Sequence, residues 1–144
     1  MSDDLQARLK AAQAERARIA AAHSERRELE ALQRAVAAEE QAAKDDAGIA
    51  EAEIKHARIE VVRTELGAIV LHRPDSLVYK RFQDLDLKKI NREEIYRVVR
   101  SALAYPDAGR LDSMLETLPG ALGACSNAAA RLAGVRDEDI AGKA

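Results

Sequence analysis

Residues 3–46 read DDLQARLKAAQAERARIAAAHSERRELEALQRAVAAEEQAAKDD, and this stretch decides the fold. It contains no proline, glycine or aromatic residue. Ala, Glu, Arg, Gln and Leu fill nearly every position, and all are strong helix formers. Ser2 is a candidate N-cap, and the acids Asp3 and Asp4 suit the positive end of a helix. We therefore predict a helix from about 3 to 46, roughly 65 Å long at 1.5 Å per residue.

Apolar side chains follow two seams along this helix. The first runs from Leu5 to Ile19 and the second from Leu29 to Glu39. The seams join only through a phase shift near residue 22, so the heptad pattern is interrupted. Three interpretations stay open. The helix docks on a partner, it self-associates loosely, or it is a solvated helix held by alanine propensity and i,i+4 ion pairs.

The composition of the 144-residue chain changes after residue 58. All three prolines, all four aromatic residues and six of the seven glycines lie in 59–144, whereas 1–58 hold 18 alanines. Prolines and glycines mark the turns of a folded globular unit. We predict a long Ala-rich helix over 1–47, a linker or helix over 48–58, a small α+β domain over 59–134, and a flexible tail over 135–144.

The small domain begins with a predicted β-hairpin. Residues 59–72 read IEVVRTELGAIVLH, with two clusters of β-branched or bulky residues on either side of Gly67. This pattern favours strands near 59–64 and 68–72. A helix over 49–66 is the competing prediction, but its apolar residues make no clean helical stripe.

Four short helices are predicted after the hairpin. Asp75, Asn91 and Asp107 are candidate N-caps for the first three, the second of which extends to about Ala104. A last helix opens at Pro119 and ends at Gly134. Its predicted inner face comprises Leu122, Cys125, Ala128, Ala129 and Leu132. The predicted fold class is mainly α, an α+β domain with little β: a long N-terminal helix, a short hairpin and a compact bundle of about four helices.

The sequence carries no recognisable catalytic or metal-binding pattern. It has no phosphate-binding loop, no dinucleotide fingerprint and no metalloprotease or hydrolase motif. The three histidines are scattered, so no metal site is expected. The single Cys125 excludes an intramolecular disulfide, and we predict that it is a small buried hydrophobe. We expect no enzyme activity and no cofactor.

Charge and hydropathy limit the other classes of partner. The net charge is −2, which disfavours a protein that binds nucleic acid through bulk positive charge. Residues 80–100 carry seven bases against four acids, which keeps nucleic-acid binding only as a lower-ranked hypothesis. No apolar run approaches the roughly 20 residues of a membrane span, and the start MSDDLQAR lacks a signal-peptide core. We predict a cytoplasmic protein without membrane contact.

Three consecutive motifs resemble the tail assembly chaperones of long-tailed phages and prophages. They read GAIVLHRPDSLVYKRFQD at 67–84, SALAYPD at 101–107 and LDSMLETLPGALGACSNAAARLAG at 111–134. Their order is that of the family, and together they span about half the chain. Val78 stands where the family has an acidic residue, and the long N-terminal helix is not a family feature.

The resemblance implies a non-enzymatic chaperone that binds the tape-measure protein and tail-tube subunits during tail assembly, in the host cytoplasm if a phage encodes it. The alternative is a coiled-coil adaptor that self-associates through its N-terminal helix. Phe82 and Tyr105 are also candidates for the core of a domain so poor in aromatics, whereas we expect Arg73 and Tyr79 to be exposed. The candidate partner-binding residues are Leu5, Leu9, Ile19, Leu29, Leu32, Val36, Arg73, Tyr79, Phe82 and Tyr105.

Overall fold

A computed structural model describes residues 2–135 of the chain. Its helices and strands, in chain order, are α1 Ser2–Lys55, β1 Ile59–Thr64, β2 Gly67–His72, α2 Ser76–Gln83, α3 Arg92–Ala102, β3 Leu103–Tyr105, α4 Ala108–Thr117 and α5 Ala121–Leu132. A single 3₁₀ turn covers Leu87–Lys89. The predicted fold class is confirmed: the chain is mainly α, with a long N-terminal helix and a small sheet. The contacts divide it into two units, separated after residue 41.

Helix α1 extends to Lys55 instead of ending near residue 46. The run Asp45-Asp46-Ala47-Gly48, predicted to stop the helix, lies inside it. A glycine in a helix costs only about 1 kcal/mol relative to alanine, so contacts made by the same turns can outweigh it. Asp45 and Ala52, one face of this last part of α1, are buried within the second unit.

The predicted hairpin is present, and a third strand is added to it. Strands β1 and β2 pair antiparallel with Val61 opposite Val70. The predicted helix up to residue 104 was too long, because α3 ends at Ala102 and β3 pairs with β2. Tyr105 precedes Pro106, and a residue before proline is disfavoured in the helical conformation. The sheet order is β1-β2-β3, so β2 is its central strand.

Side-chain caps fix the start of the short helices, as the sequence predicts. Asp75 accepts hydrogen bonds from the backbone N–H groups of Leu77 and Val78, and Asn91 accepts one from that of Glu94. Asp107 caps α4 in the same way. Helix α5 begins at Ala121, two residues after Pro119, and Gly134 beyond its end has a φ of 102°. A left-handed glycine at that place is a common helix terminator.

The core lies between the sheet and helices α3, α4 and α5. All five residues of the predicted inner face of α5 are buried, including Cys125. Strand β2 contributes Ile69 and Leu71, and α3 contributes Val98 and Val99. The predicted flexible tail lies outside the described residues from residue 136 onward.

Candidate functional site

The described part of the first unit, residues 2–41, is a helical stretch whose large apolar side chains are all exposed. The six side chains are between 46% and 62% exposed, and we call them the apolar stripe: Leu5, Leu9, Ile19, Leu29, Leu32 and Val36. Isolated exposed apolar residues are ordinary on a protein surface, but a row of them along one helix is the usual mark of helix pairing. All six are among the residues predicted to bind a partner.

The remaining four predicted residues lie in the second unit, and three of them are close together. Arg73 and Tyr79 line one surface cleft, with Lys80 beside them. The ring of Tyr79 lies 6.1 Å from that of Phe82, tilted by 35°. Arg73 is exposed, as expected, while Tyr79 and Phe82 are half-buried and contact the core. Partial burial raises the pKa of the Tyr79 hydroxyl above its ordinary value.

Tyr105 does not join this group, because its hydroxyl binds the C-terminal part of α1. It donates a hydrogen bond of 2.8 Å to Oδ1 of Asp45. The other carboxylate oxygen of Asp45 accepts a 3.0 Å hydrogen bond from the backbone N–H of Ala68, at the start of β2. Asp45 is only 6% exposed, and buried carboxylates need such partners. The contact thus ties helix α1 to the sheet within the second unit.

Gly48 allows this contact, since the Tyr105 ring lies directly on the backbone of α1. A Cβ atom at position 48 would be 2.6 Å from Cγ and 2.8 Å from Cε2 of Tyr105. These distances are shorter than carbon atoms tolerate, so any larger residue must displace the ring. The predicted helix breaker is therefore a packing glycine.

A basic cleft lies near the end of α1. Five basic side chains line it: Lys55, His56, Arg58, His72 and Arg73. The rings of His56 and His72 are stacked, with centroids 4.3 Å apart and planes 13° apart. Desolvation, then the charges of His72 and Lys55, lower the pKa of His56. A neutral His56 suits the stack, because two imidazolium rings at this distance would repel each other.

Sequence reasoning missed both the Asp45 contact and the basic cleft. Asp45, Gly48 and Ala52 are three and four residues apart, so they share one face of a helix. That this face has only small or polar side chains was the available signal. The pairing of His56 with His72 has no local signal, because it depends on how α1 and β2 end side by side. A half-buried ion pair between Arg131 and Glu60, with Nη2 2.9 Å from Oε2, was missed for the same reason.

Residues 2–135 show neither a cluster suited to hold a metal ion nor a helix suited to cross a membrane. Within that range no group of three or more His, Cys, Asp or Glu side chains is arranged to hold a metal ion. No described helix is both long enough and apolar enough to cross a membrane. Comparison with protein-family models, with curated proteins and with solved structures found no match to this chain.

Proposed function

We propose that this chain is a non-enzymatic assembly protein that binds a long helical protein partner through the apolar stripe of α1. The single observation that carries the proposal is the exposure of six large apolar side chains along residues 5–36 of one helix. An amphipathic helix presents such a row when it lies against another helix. The resemblance of residues 67–134 to tail assembly chaperones makes the tape-measure protein the proposed partner, with tail-tube subunits joining it.

The size of the stripe favours reversible binding. Complete burial of a Leu, Ile or Val side chain stabilises by about 1.5–3 kcal/mol relative to full exposure. Because about half of each stripe side chain is already covered, covering the rest gives about 1 kcal/mol per residue, or about 6 kcal/mol for this chain. A partner stripe of similar size doubles that gain, against an association cost of about 4–15 kcal/mol. Because the gain from burial and the cost of association are similar in size, the net binding energy is modest, which suits a chaperone that releases its partner.

The arrangement of the second unit is consistent with a supporting role. Its sheet and short helices have their own core, and both polar and apolar side chains line its cleft at Arg73 and Tyr79. A basic side chain beside a half-buried tyrosine can add a polar contact to a protein partner. We therefore assign the apolar stripe as the main binding surface and this cleft as a secondary one.

The test is co-purification of the tagged full-length chain from cells of the organism that encodes it. The wild-type chain is compared with a Leu9→Glu, Leu32→Glu double variant, which places charge on the stripe. The matched control is Ala14→Glu, Ala38→Glu. At 100° per residue each alanine points away from the stripe residues nearest to it, by about 140° from Leu9 for Ala14 and about 160° from Val36 for Ala38. We expect a long helical protein to be captured by the wild type and the control but not by the stripe variant. Equal capture by all three chains contradicts the proposal.

A second candidate function is a structural adaptor that self-associates through α1. It is favoured by the opposite charges of Arg16 and Glu25, which lie between stripe residues at equal distances from the middle of the segment 5–36. A chain that captures no other protein and sediments as a dimer would make the adaptor the better account.

A further inference from the structure

The apolar stripe is part of a row of ten positions that has the same spacing when it is read from either end. The row consists of the six stripe residues together with Ala12, Arg16, Ala22 and Glu25, and it occupies positions 5, 9, 12, 16, 19, 22, 25, 29, 32 and 36. The steps between them are 4, 3, 4, 3, 3, 3, 4, 3 and 4. This series is symmetric about a point between Ala20 and Ala21. All ten residues are exposed on one uninterrupted helix.

From this symmetry we propose that two copies of the chain pair antiparallel through α1, with a two-fold axis between Ala20 and Ala21. Each residue then faces the residue of the second copy whose number completes a total of 41. The pairing goes beyond the proposed function, since it places a second copy on the surface that a helical partner would occupy. A partner would have to displace that copy.

Side-chain size favours the antiparallel orientation over the parallel one. In the antiparallel pair Leu9 faces Leu32, and the two alanines of the row each face a large apolar residue. Ala12 lies opposite Leu29, and Ala22 lies opposite Ile19. In a parallel pair in register, each alanine would face its own copy and leave a gap beside the leucine layers. Layers of similar side-chain volume allow the distance between the two helix axes to stay constant along the pair.

Charge gives the second and independent argument. At the two charged positions of the row, Arg16 faces Glu25 of the other copy, and the neighbouring Glu15 faces Arg26. The two-fold axis repeats each pair, so four ion pairs flank the centre. A parallel pair would instead place Arg16 on Arg16 and Glu25 on Glu25. Like charges at an interface oppose association, and opposite charges fix orientation and register.

The phase shift near residue 22 fits the same arrangement. Three consecutive steps of three residues lead from Arg16 to Glu25, and such a three-residue insertion overwinds a coiled coil locally. In the antiparallel pair the overwound segments of both copies meet at the two-fold axis. The interruption of the heptad pattern thus becomes the centre of the interface.

Disulfide cross-linking of the full-length chain tests the orientation. A Leu9→Cys chain is mixed with a Leu32→Cys chain of different tag size and oxidised mildly. We expect the mixed disulfide to predominate, because antiparallel pairing brings only unlike positions within the Cα separation of about 4.4–6.8 Å that a disulfide needs. The native Cys125 does not interfere, since it is buried and burial raises the pKa of its thiol to about 11.

Two controls make the cross-linking decisive. An Ala14→Cys chain mixed with an Arg27→Cys chain places thiols at the same level but on the far side of the helix, and we expect no mixed disulfide. Predominance of Leu9→Cys or Leu32→Cys homodimers would establish parallel pairing and overturn the proposal. Absence of any disulfide, or equal yields in the far-side control, would also overturn it.

A charge swap gives a measurement that does not depend on cysteine chemistry. Arg16→Glu and Glu25→Arg should each weaken dimerisation roughly tenfold, the equivalent of about 1.4 kcal/mol. The double swap should restore the wild-type dissociation constant in sedimentation equilibrium. A double variant as weak as the single ones contradicts the antiparallel register. A chain that stays monomeric while it still captures a helical partner refutes this inference and leaves the proposed function standing.

Discussion

Substitution of Asp45 by alanine should strongly destabilise the second unit, although the residues next to Asp45 in the chain are exposed. The change removes the acceptor for two hydrogen bonds, one from the Tyr105 hydroxyl at 2.8 Å and one from the backbone N–H of Ala68 at 3.0 Å. Hydrogen bonds to a charged group contribute about 1.5–3 kcal/mol each. The buried Ala68 N–H also loses this partner. We expect a loss of about 3–5 kcal/mol in the free energy of unfolding.

The buried thiol of Cys125 provides a local probe for this measurement. It lies in the core of the second unit, so its alkylation in increasing urea reports unfolding of that unit and not of residues 2–41. A loss of 3 kcal/mol in a domain of about 100 residues lowers the melting temperature by about 12 °C or more. Such a loss is a large share of the 5–15 kcal/mol that stabilises a typical domain.

The neighbouring carboxylate is the matched control. Asp46 is exposed on the same turn of α1, so Asp46→Ala should change the unfolding free energy by less than about 0.5 kcal/mol. Tyr105→Phe should cost about 1–2 kcal/mol, and the double variant should show a coupling energy of about 1 kcal/mol or more. Equal stabilities of the Asp45→Ala and Asp46→Ala chains would refute the reasoning.

Three further changes test the packing of the second unit. Gly48→Ala should destabilise by about 1–3 kcal/mol because its Cβ would collide with the Tyr105 ring, whereas Gly123→Ala, with nothing within 4 Å, should stabilise by up to about 1 kcal/mol; urea midpoints measure both. Leu115→Asp should abolish cooperative unfolding because it buries a charge, while Ser113→Asp on the exposed side of α4 should not; cooperative melting of the first would show that Leu115 is not core. Burial raises the pKa of the Cys125 thiol from 9.0 to about 11, so between these pH values the unfolded chain loses a proton that the folded chain keeps. Stability should therefore fall by about 2–3 kcal/mol as the pH rises from 9 to 11, and a Cys125→Ala chain that falls equally would contradict the assignment.

Local signals in the sequence were enough for most of the helices and for the hairpin. The caps at Asp75, Asn91 and Asp107 depend on a side chain and a backbone group two or three residues away, so the pattern alone predicts them. The inner face of α5 follows from its period, and all its predicted members are buried.

The errors lie where a residue's partner is distant in the chain. Strand β3 has only three residues and forms because β2 offers it a free edge, which no local pattern reveals. The sequence around Asp45 predicted the end of a helix. This prediction was wrong because the contacts that keep Asp45 within α1 are made to Ala68 and Tyr105, which are 23 and 60 residues away in the chain. The hydrogen bond from Tyr105 to Asp45 likewise ties β3 to α1, a contact that the sequence neighbours of Tyr105 do not indicate.

The central claim is that the apolar stripe of α1 is covered by another protein chain when this protein works. Its most direct test is a photo-reactive amino acid placed at position 9 or, as control, at position 14 of the full-length chain in cells of the organism that encodes it. The account predicts a cross-linked product from position 9, whose mass identifies a helical partner or a second copy, and none from position 14. Absence of a product at position 9, or equal products at both positions, would contradict the claim.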